Sequence, residues 1–293
     1  MYDFKAIYRP STVAEAIQLL AEHAGSLVLA GGSDILIKIR EGRLAGAELV
    51  SIYELDCLRG ISLAEDGSIR ILPLTSFSHV ERNPIIQAHI PVLANAVGMV
   101  GGPQIRNIGT IGGNICNGVT SADSASTLKA LDAELEITGT NGLRRISIHD
   151  FYQGPGKVAL APAELLTCIV IPKESYENCF GAYLKYAMRS AMDIATLGCS
   201  VNVRLTEDLR HISRLRIAYG VASATPMRCL ETEQAACGAL VQPALIEQLQ
   251  AGIEREIMPR TSWRASKEFR THIARELVKR AFVASVQAAG GEL

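Results

Sequence analysis

The sequence predicts an α+β fold, and three observations carry that reading. Strand and helix signals are mixed, without the regular β-α-β alternation of a doubly wound parallel sheet. Two hairpins are signalled by Asp66-Gly67 and Asn141-Gly142, each flanked by alternating apolar residues. Beyond the polar stretch "KESYEN", three strand-like runs follow one another, and the rest reads as helix.

In order, Thr12 to Glu15 reads as a capping box, with Val13, Ala16, Ile17 and Leu20 on one helical face and Gly25 as the stop. "SLVLA" is a short strand. Gly31-Gly32-Ser33-Asp34 is a tight turn leading into a helical turn, "ILIKIR", capped by Ser33 or Asp34. "ELVSI" is another strand, and Ile61 to Leu74 forms the first hairpin. Two short helical stretches, Phe77 to Arg82 and Pro91 to Met99, lead into "GGPQIRNIGTIGGNICNG", where six of eighteen residues are glycine and Arg106 is the only charge. Ser124 to Leu131 reads as helix, Leu135 to Ile148 as the second hairpin, and "LLTCIVIP" as a strand ended by Pro172. The compositional shift at "KESYEN" places a domain boundary there. "AYLKYAM", "ATLGCSVNVRL" and "SRLRIAYGVAS", separated by short turns, predict a three-stranded antiparallel meander. Helices follow over Thr232 to Leu240, Pro243 to Ile257 and Ser262 to Ala289.

A net charge of −1 over 293 residues argues against nucleic-acid or membrane-surface binding. No uncharged apolar stretch of about 18 residues is present, so no spanning helix is expected. "MYDFKAIYRP" lacks the basic start and apolar run of a signal peptide. Seven scattered cysteines, none in a C-x-x-C pair, suit reduced thiols in a cytoplasm. No metal-ligand spacing such as HExxH occurs. His23, His79 and His149 adjoin no glycine motif, which leaves no histidine placed for covalent attachment of a cofactor.

Glycine admits backbone conformations with positive φ and lets a ligand approach the main chain. Turns of this kind gather N–H groups into an anion-binding concavity. Gly31-Gly32-Ser33 and Gly109-x-x-Gly112-Gly113-Asn114 are two such turns. They read either as structural turns or as a cradle that holds a diphosphate with amides rather than lysines, helped by Thr110, Asn114 and Asn117. Neither is a G-x-G-x-x-G or a P-loop, so a Rossmann site is disfavoured.

"LAGGSDILIK" and "NIGTIGGNICNG", the latter followed by "SADSAS", resemble the two flavin-binding motifs of the FAD-binding (medium) subunit of the molybdenum hydroxylases, the family of xanthine dehydrogenase and carbon monoxide dehydrogenase. The likeness runs through essentially the whole chain. "GPQIRN", "GGNICNG" and "GPGKV" are most similar to the separate FAD subunit of three-chain bacterial xanthine dehydrogenases. The resemblance implies a vanillyl-alcohol-oxidase-type FAD-binding fold of two α/β subdomains, residues 1–57 and 58–174, and a small C-terminal domain over 175–293. It implies that Val28, Leu29, Ala30, Gly31, Gly32, Ser33, Asp34 and Ile35 wrap the FAD pyrophosphate through backbone amides. Thr110, Gly113, Asn114, Asn117 and Asp123 would hold diphosphate and sugar hydroxyls from the other side. Leu166 would cover the adenine or ring side, and Lys185 would reach the polar edge of the flavin. Where this chain has Val100, some members place an aromatic side chain against the isoalloxazine.

The implied activity is an electron relay. A molybdenum-cofactor subunit oxidises substrate, xanthine or another purine; an iron–sulfur subunit with [2Fe-2S] clusters carries the electrons; non-covalent FAD here collects them and passes a hydride from N5 to NAD⁺. No side chain of this chain is then expected to act as acid, base or nucleophile. Two other readings stand beside it: a stand-alone FAD-dependent oxidase or reductase, and a carbon monoxide dehydrogenase-like medium subunit with another acceptor. Taken residue by residue without the resemblance, Lys185 is equally a solvated strand residue and Asp123 a helix N-cap. Arg106 is expected to pair with a carboxylate. Cys116 leaves a thioether open. The basic residues of the last helix, Arg264 to Arg280, are expected on a solvated or partner-facing side.

Overall fold

The computed structural model describes residues 2–293. Its first part is a three-stranded parallel sheet, in order β1-β3-β2, of β1 (Phe4–Tyr8), β2 (Leu27–Leu29) and β3 (Ala47–Ser51). Helix α1 (Val13–Glu22) crosses between β1 and β2 and buries Ala16, Ile17 and Leu20. The capping box is real: Thr12 Oγ1 accepts from the Glu15 amide at 3.1 Å, and the Glu15 carboxylate reaches back to the Ser11 amide and hydroxyl, both at 2.7 Å. Helix α2 (Ile35–Arg40) follows the first glycine motif, and neither Ser33 nor Asp34 caps it through a side chain.

The second part is a five-stranded antiparallel sheet, in order β4-β5-β10-β6-β7. Its strands are β4 (Ile61–Leu63), β5 (Ile69–Ile71), β6 (Glu134–Gly139), β7 (Gly142–Ser147) and β10 (Leu165–Ile171). Both hairpins form at the Asp-Gly and Asn-Gly turns, where Gly67 and Gly142 take positive φ. Between them lie α3 (Phe77–Arg82), α4 (Pro84–His89), α5 (Pro91–Gly98), α6 (Pro103–Ile108), α7 (Ile111–Cys116) and α8 (Asp123–Ala130). Short elements α9 (Ile148–Phe151), β8 (Tyr152–Gly154), β9 (Lys157–Val158) and α10 (Lys173–Tyr176) complete this part. The glycine-rich run is therefore largely helical, not a pair of open turns. Intrinsic propensity counts against two adjacent glycines in α7, at about 1 kcal/mol each. Close packing requires them: a Cβ on Gly112 would lie 2.3 Å from Pro73 Cβ.

The C-terminal sheet has four antiparallel strands rather than three: β11 (Phe180–Tyr186), β12 (Leu197–Leu205), β13 (Ile212–Gly220) and the two-residue β14 (Met227–Arg228). The β11–β12 connection, 187–196, is a long irregular loop, not a short turn. Helices α11 (Leu230–Ala236), α12 (Pro243–Glu256) and α13 (Lys267–Ala288) cover one face, and their side chains share a core with β12 and β13. Helix α13 begins five residues later than expected, because Ser266 caps it and Ser262 bridges to Ala265 instead. Arg270 departs from the expected solvated face. It is 2% exposed and donates to the Arg260 carbonyl and Ser262 Oγ.

Helix α8 is buried on every side, its polar residues included. It packs on α5 and α7 in one direction and on β12 and β13 in the other. Just beyond it, Asp132 accepts from His149 at 2.9 Å, from Arg216 at 3.0 Å and from Arg228 at 2.6 Å. Arg228 also grips Glu233, whose Oε1 takes the Ile217 amide at 2.8 Å. Burial alone would raise the Asp132 carboxyl. The His149 bond and the Arg228 and Arg216 guanidiniums overcome this and hold it far below the usual carboxylate range.

Candidate functional site

A cleft of about 550 Å³ opens between the first two parts, within the size range of cofactor sites. Its walls are the β2–α2 connection, α2, the Pro73–Leu74 turn, Phe77, the α6–α7 region and the start of β10. Of the residues expected at a cofactor, Val28, Ala30, Gly31, Gly32, Ser33, Asp34, Ile35, Val100, Thr110, Gly113, Asn114, Asn117 and Leu166 line this cleft. Leu29, Asp123 and Lys185 do not.

The two glycine motifs meet. A Cβ on Gly31 would sit 1.9 Å from the Ile108 carbonyl oxygen, so the chain passes there with no room for a side chain. Gly32 is in the left-handed region, φ +75°. Together they turn the backbone so that the amides of Gly31, Gly32, Ser33, Asp34 and Ile35 donate to no protein acceptor among the described residues. Asp34 is exposed and Ile35 opens α2, whose first amides have no intrahelical partner; all five residues line the cleft, so their donors are available to a ligand there. The second motif behaves differently. The Ile111 amide donates to Thr75 O (3.0 Å), Gly112 to Pro73 O (2.9 Å), Gly113 to Thr110 Oγ1 (3.2 Å) and Asn114 to Thr110 O (3.0 Å). The amides from Ile111 to Asn114 are thus committed, and this side of the cleft offers mainly side chains.

Those side chains are Asn114, whose Oδ1 accepts from Ser124 Oγ at 2.6 Å, and Asn117, whose Nδ2 is buried without a partner. Across from Asn117 stands Lys38, the cleft's one basic residue among the described residues, 3.0 Å from Asn117 Oδ1. The expectation of a lysine-free cradle is corrected by it. The signal was present, since Lys38 is three residues from Ile35 and so shares its helical face. Phe77 is the aromatic side chain of the wall, and nothing local in the sequence marks it as such.

Asp123 and Lys185 lie one peptide behind the wall. Lys185 Nζ donates to Asp123 Oδ2 at 2.7 Å and to Met99 O at 3.0 Å, next to Val100. Tyr183, fully enclosed, donates to Asp123 Oδ1 at 2.6 Å. Lys185 is thus no solvated strand residue, and Asp123 is no N-cap: Ala122 holds that place, and the carboxylate is turned to β11. Burial raises the Asp123 carboxyl, while Lys185 and Tyr183 pull it back. Arg106 has the structural role expected of it, lying 3.5 Å from Glu81 with its guanidinium over the Val100 and Gly101 carbonyls.

Cys116 lines the cleft, and burial pushes its thiol up to about 12. A thiol that stays protonated is a poor nucleophile. At pH 8, iodoacetamide is expected to label the exposed Cys57 and Cys237 and leave Cys116 unmodified, as read by peptide mass mapping. Rapid labelling of Cys116 would contradict this.

A run of free amides, a buried amide donor without a partner, two neutral asparagines and a long apolar wall fit a group that is anionic in the middle and flat and apolar at its ends. A flavin dinucleotide is such a group. The family model described as the FAD binding domain in molybdopterin dehydrogenase matches residues 2–174, and the one described as the CO dehydrogenase flavoprotein C-terminal domain matches residues 182–285. The chain is 45% identical over the full length of both proteins to the putative xanthine dehydrogenase FAD-binding subunit XdhB of Escherichia coli strain K12. It is 30% identical to the carbon monoxide dehydrogenase medium chain of Hydrogenophaga pseudoflava, over 95% of this chain and 96% of that one. A solved structure of carbon monoxide dehydrogenase from the same organism superposes with a TM-score of 0.93 at 27% identity, covering 99% of each chain. The cleft and these likenesses agree, and the chain belongs to the family of FAD-binding subunits of the molybdenum hydroxylases.

Proposed function

We propose that this chain is the FAD-carrying electron-transfer subunit of a cytoplasmic, xanthine dehydrogenase-like enzyme. Its partners are an iron–sulfur subunit with [2Fe-2S] clusters and a molybdenum-cofactor subunit that oxidises a purine, and its acceptor is NAD⁺. FAD, when bound, supplies the exchange between single electrons and a hydride that such a relay needs. The protein's part is to bind, orient and exclude water. The Gly31 to Ile35 amides hold the diphosphate, and Thr110, Asn114 and Asn117 take sugar or phosphate oxygens. Val100 and Leu166 flank the rings, and Lys185, fixed by Asp123, places a positive charge behind Val100. In this reading FAD lies between residues 1–57 and 58–174, and residues 175–293 form the third unit.

The observation that carries the FAD reading is the run of unpaired amides set against the committed second motif. Full-length identity of 45% to the Escherichia coli subunit supports the xanthine dehydrogenase-like assignment. A second reading is a carbon monoxide dehydrogenase-like medium subunit with an acceptor other than NAD⁺, and the close superposition on carbon monoxide dehydrogenase supports that likeness. The test is an absorption spectrum of the purified chain, with chromatography of whatever acid or heat releases. Flavin bands and released FAD are expected, and the bands are expected to bleach with NADH. Flavin that does not bleach with NADH favours the second reading, and a protein that stays colourless after incubation with FAD removes both.

A further inference from the structure

We propose that Lys38 is a positioning residue for the cofactor, acting through Asn117. This rests on the FAD reading above and goes beyond it, because it assigns a role to the side chain of Lys38, the last residue of the first motif, which that reading leaves without one.

Lys38 is on α2 in the first part of the chain and Asn117 is at the end of α7 in the second. Their 3.0 Å hydrogen bond therefore joins the two sides of the cleft. An ammonium has three donors and no acceptor. It can meet a carboxamide only at the oxygen, so Lys38 dictates which end of the Asn117 amide faces it. Asn117 lines the cleft, and its opposite end, Nδ2, is buried and without a partner. A buried amide donor with nothing to donate to is costly and is retained where something else completes it. Nothing competes for Lys38, which has no carboxylate within ion-pair distance among the described residues. The amide is fixed a second way by backbone, since the Asn117 N–H donates to Gly113 O at 3.0 Å. The result is one oriented N–H donor on the side of the cleft whose Ile111 to Asn114 amides are committed elsewhere. Its fitting acceptor is a hydroxyl or phosphate oxygen of the dinucleotide.

The role separates from a plain charge effect by substitution. Lys38→Gln keeps a side-chain N–H donor that can meet Asn117 Oδ1 and removes the charge; Lys38→Met removes both. FAD affinity of the full chain is measured by quenching of flavin fluorescence, with thermal melting of the FAD-free protein alongside. Lys38→Met is expected to weaken FAD about tenfold, the size of one hydrogen bond. Lys38→Gln is expected to recover most of that loss. Asn117→Ala is expected to weaken FAD by a similar factor, and the Lys38→Met, Asn117→Ala double variant by no more than either alone. Gln binding as poorly as Met would overturn the positioning role and leave the charge as the cause. So would additive losses in the double variant, or unchanged affinity in Lys38→Met. Wild-type protein that takes up no FAD is a separate result, and it overturns the reading on which this one rests.

Discussion

Gly31→Ala protein is expected to fold and to bind FAD about a hundredfold more weakly than the wild type. The added methyl group would lie 1.9 Å from the Ile108 carbonyl oxygen and 2.8 Å from its carbon, so it meets backbone and not a side chain that can swing away. Gly31 does not have positive φ, so the effect comes from space and not from conformation. Relief requires the 31–35 connection to move off the α6–α7 corner. That movement spreads the run of amides without disturbing any of the main cores. Overpacking of this kind costs about 1–3 kcal/mol, and about 1.4 kcal/mol is tenfold in affinity, which puts the upper end near a hundredfold. Titration of the apoprotein with FAD, together with a melting curve, checks it. Wild-type affinity in Gly31→Ala would mean that the two motifs do not need their contact to form the site.

Arg228→Ala is expected to have the largest effect on stability, about 3–5 kcal/mol. The Arg228 and Glu233 side chains are 5% and 4% exposed, and Asp132 is partly buried beside them. Removing the guanidinium leaves two carboxylates facing each other with much of their compensation gone. Asp132 keeps Arg216 and His149, whereas Glu233 keeps only the Ile217 amide. Urea denaturation at pH 7 measures the loss, and a change below about 1 kcal/mol would contradict the account. The pH dependence has a definite sign. Asp132 is held below its unfolded value, so its contribution is complete above about pH 4 and drains away as pH falls through its folded value. Wild-type stability is expected to fall in acid, and Arg228→Ala to show a shallower acid slope.

What could be read from the sequence was what is decided within a few residues. Asn141-Gly142 specifies its hairpin locally, and the structure forms it over Glu134 to Ser147. Thr12 and Glu15 specify a helix start in the same way. The second glycine motif could not be read locally, because α7 is imposed by the fit of Gly112 against Pro73, thirty-nine residues away. Strand β1 is not legible in the sequence for a related reason: it gains its pairing only from β3, some forty residues on. The length of the β11–β12 loop and the two-residue β14 likewise follow from the path the chain must take over the sheet. At the site, the motif residues were legible and their division of labour was not. That the first motif offers backbone and the second mainly side chains depends on which amides find partners in space. Lys38 shows the same limit, since its face was predictable and its partner across the cleft was not.

Helix α8 has no solvent side: one flank completes the packing of the flavin-binding half and the other is the floor on which β12 and β13 rest. The chain is thus modular as text and indivisible as a solid. Two family descriptions meet between residues 174 and 182, yet an interface between halves drawn there would have to assign one helix to both. Either half taken without the other would carry a wet face of serine, threonine and lysine, or an uncovered sheet. Swapping C-terminal units among relatives therefore means exchanging the surface of α8 with them, although every residue of that helix is buried inside the chain.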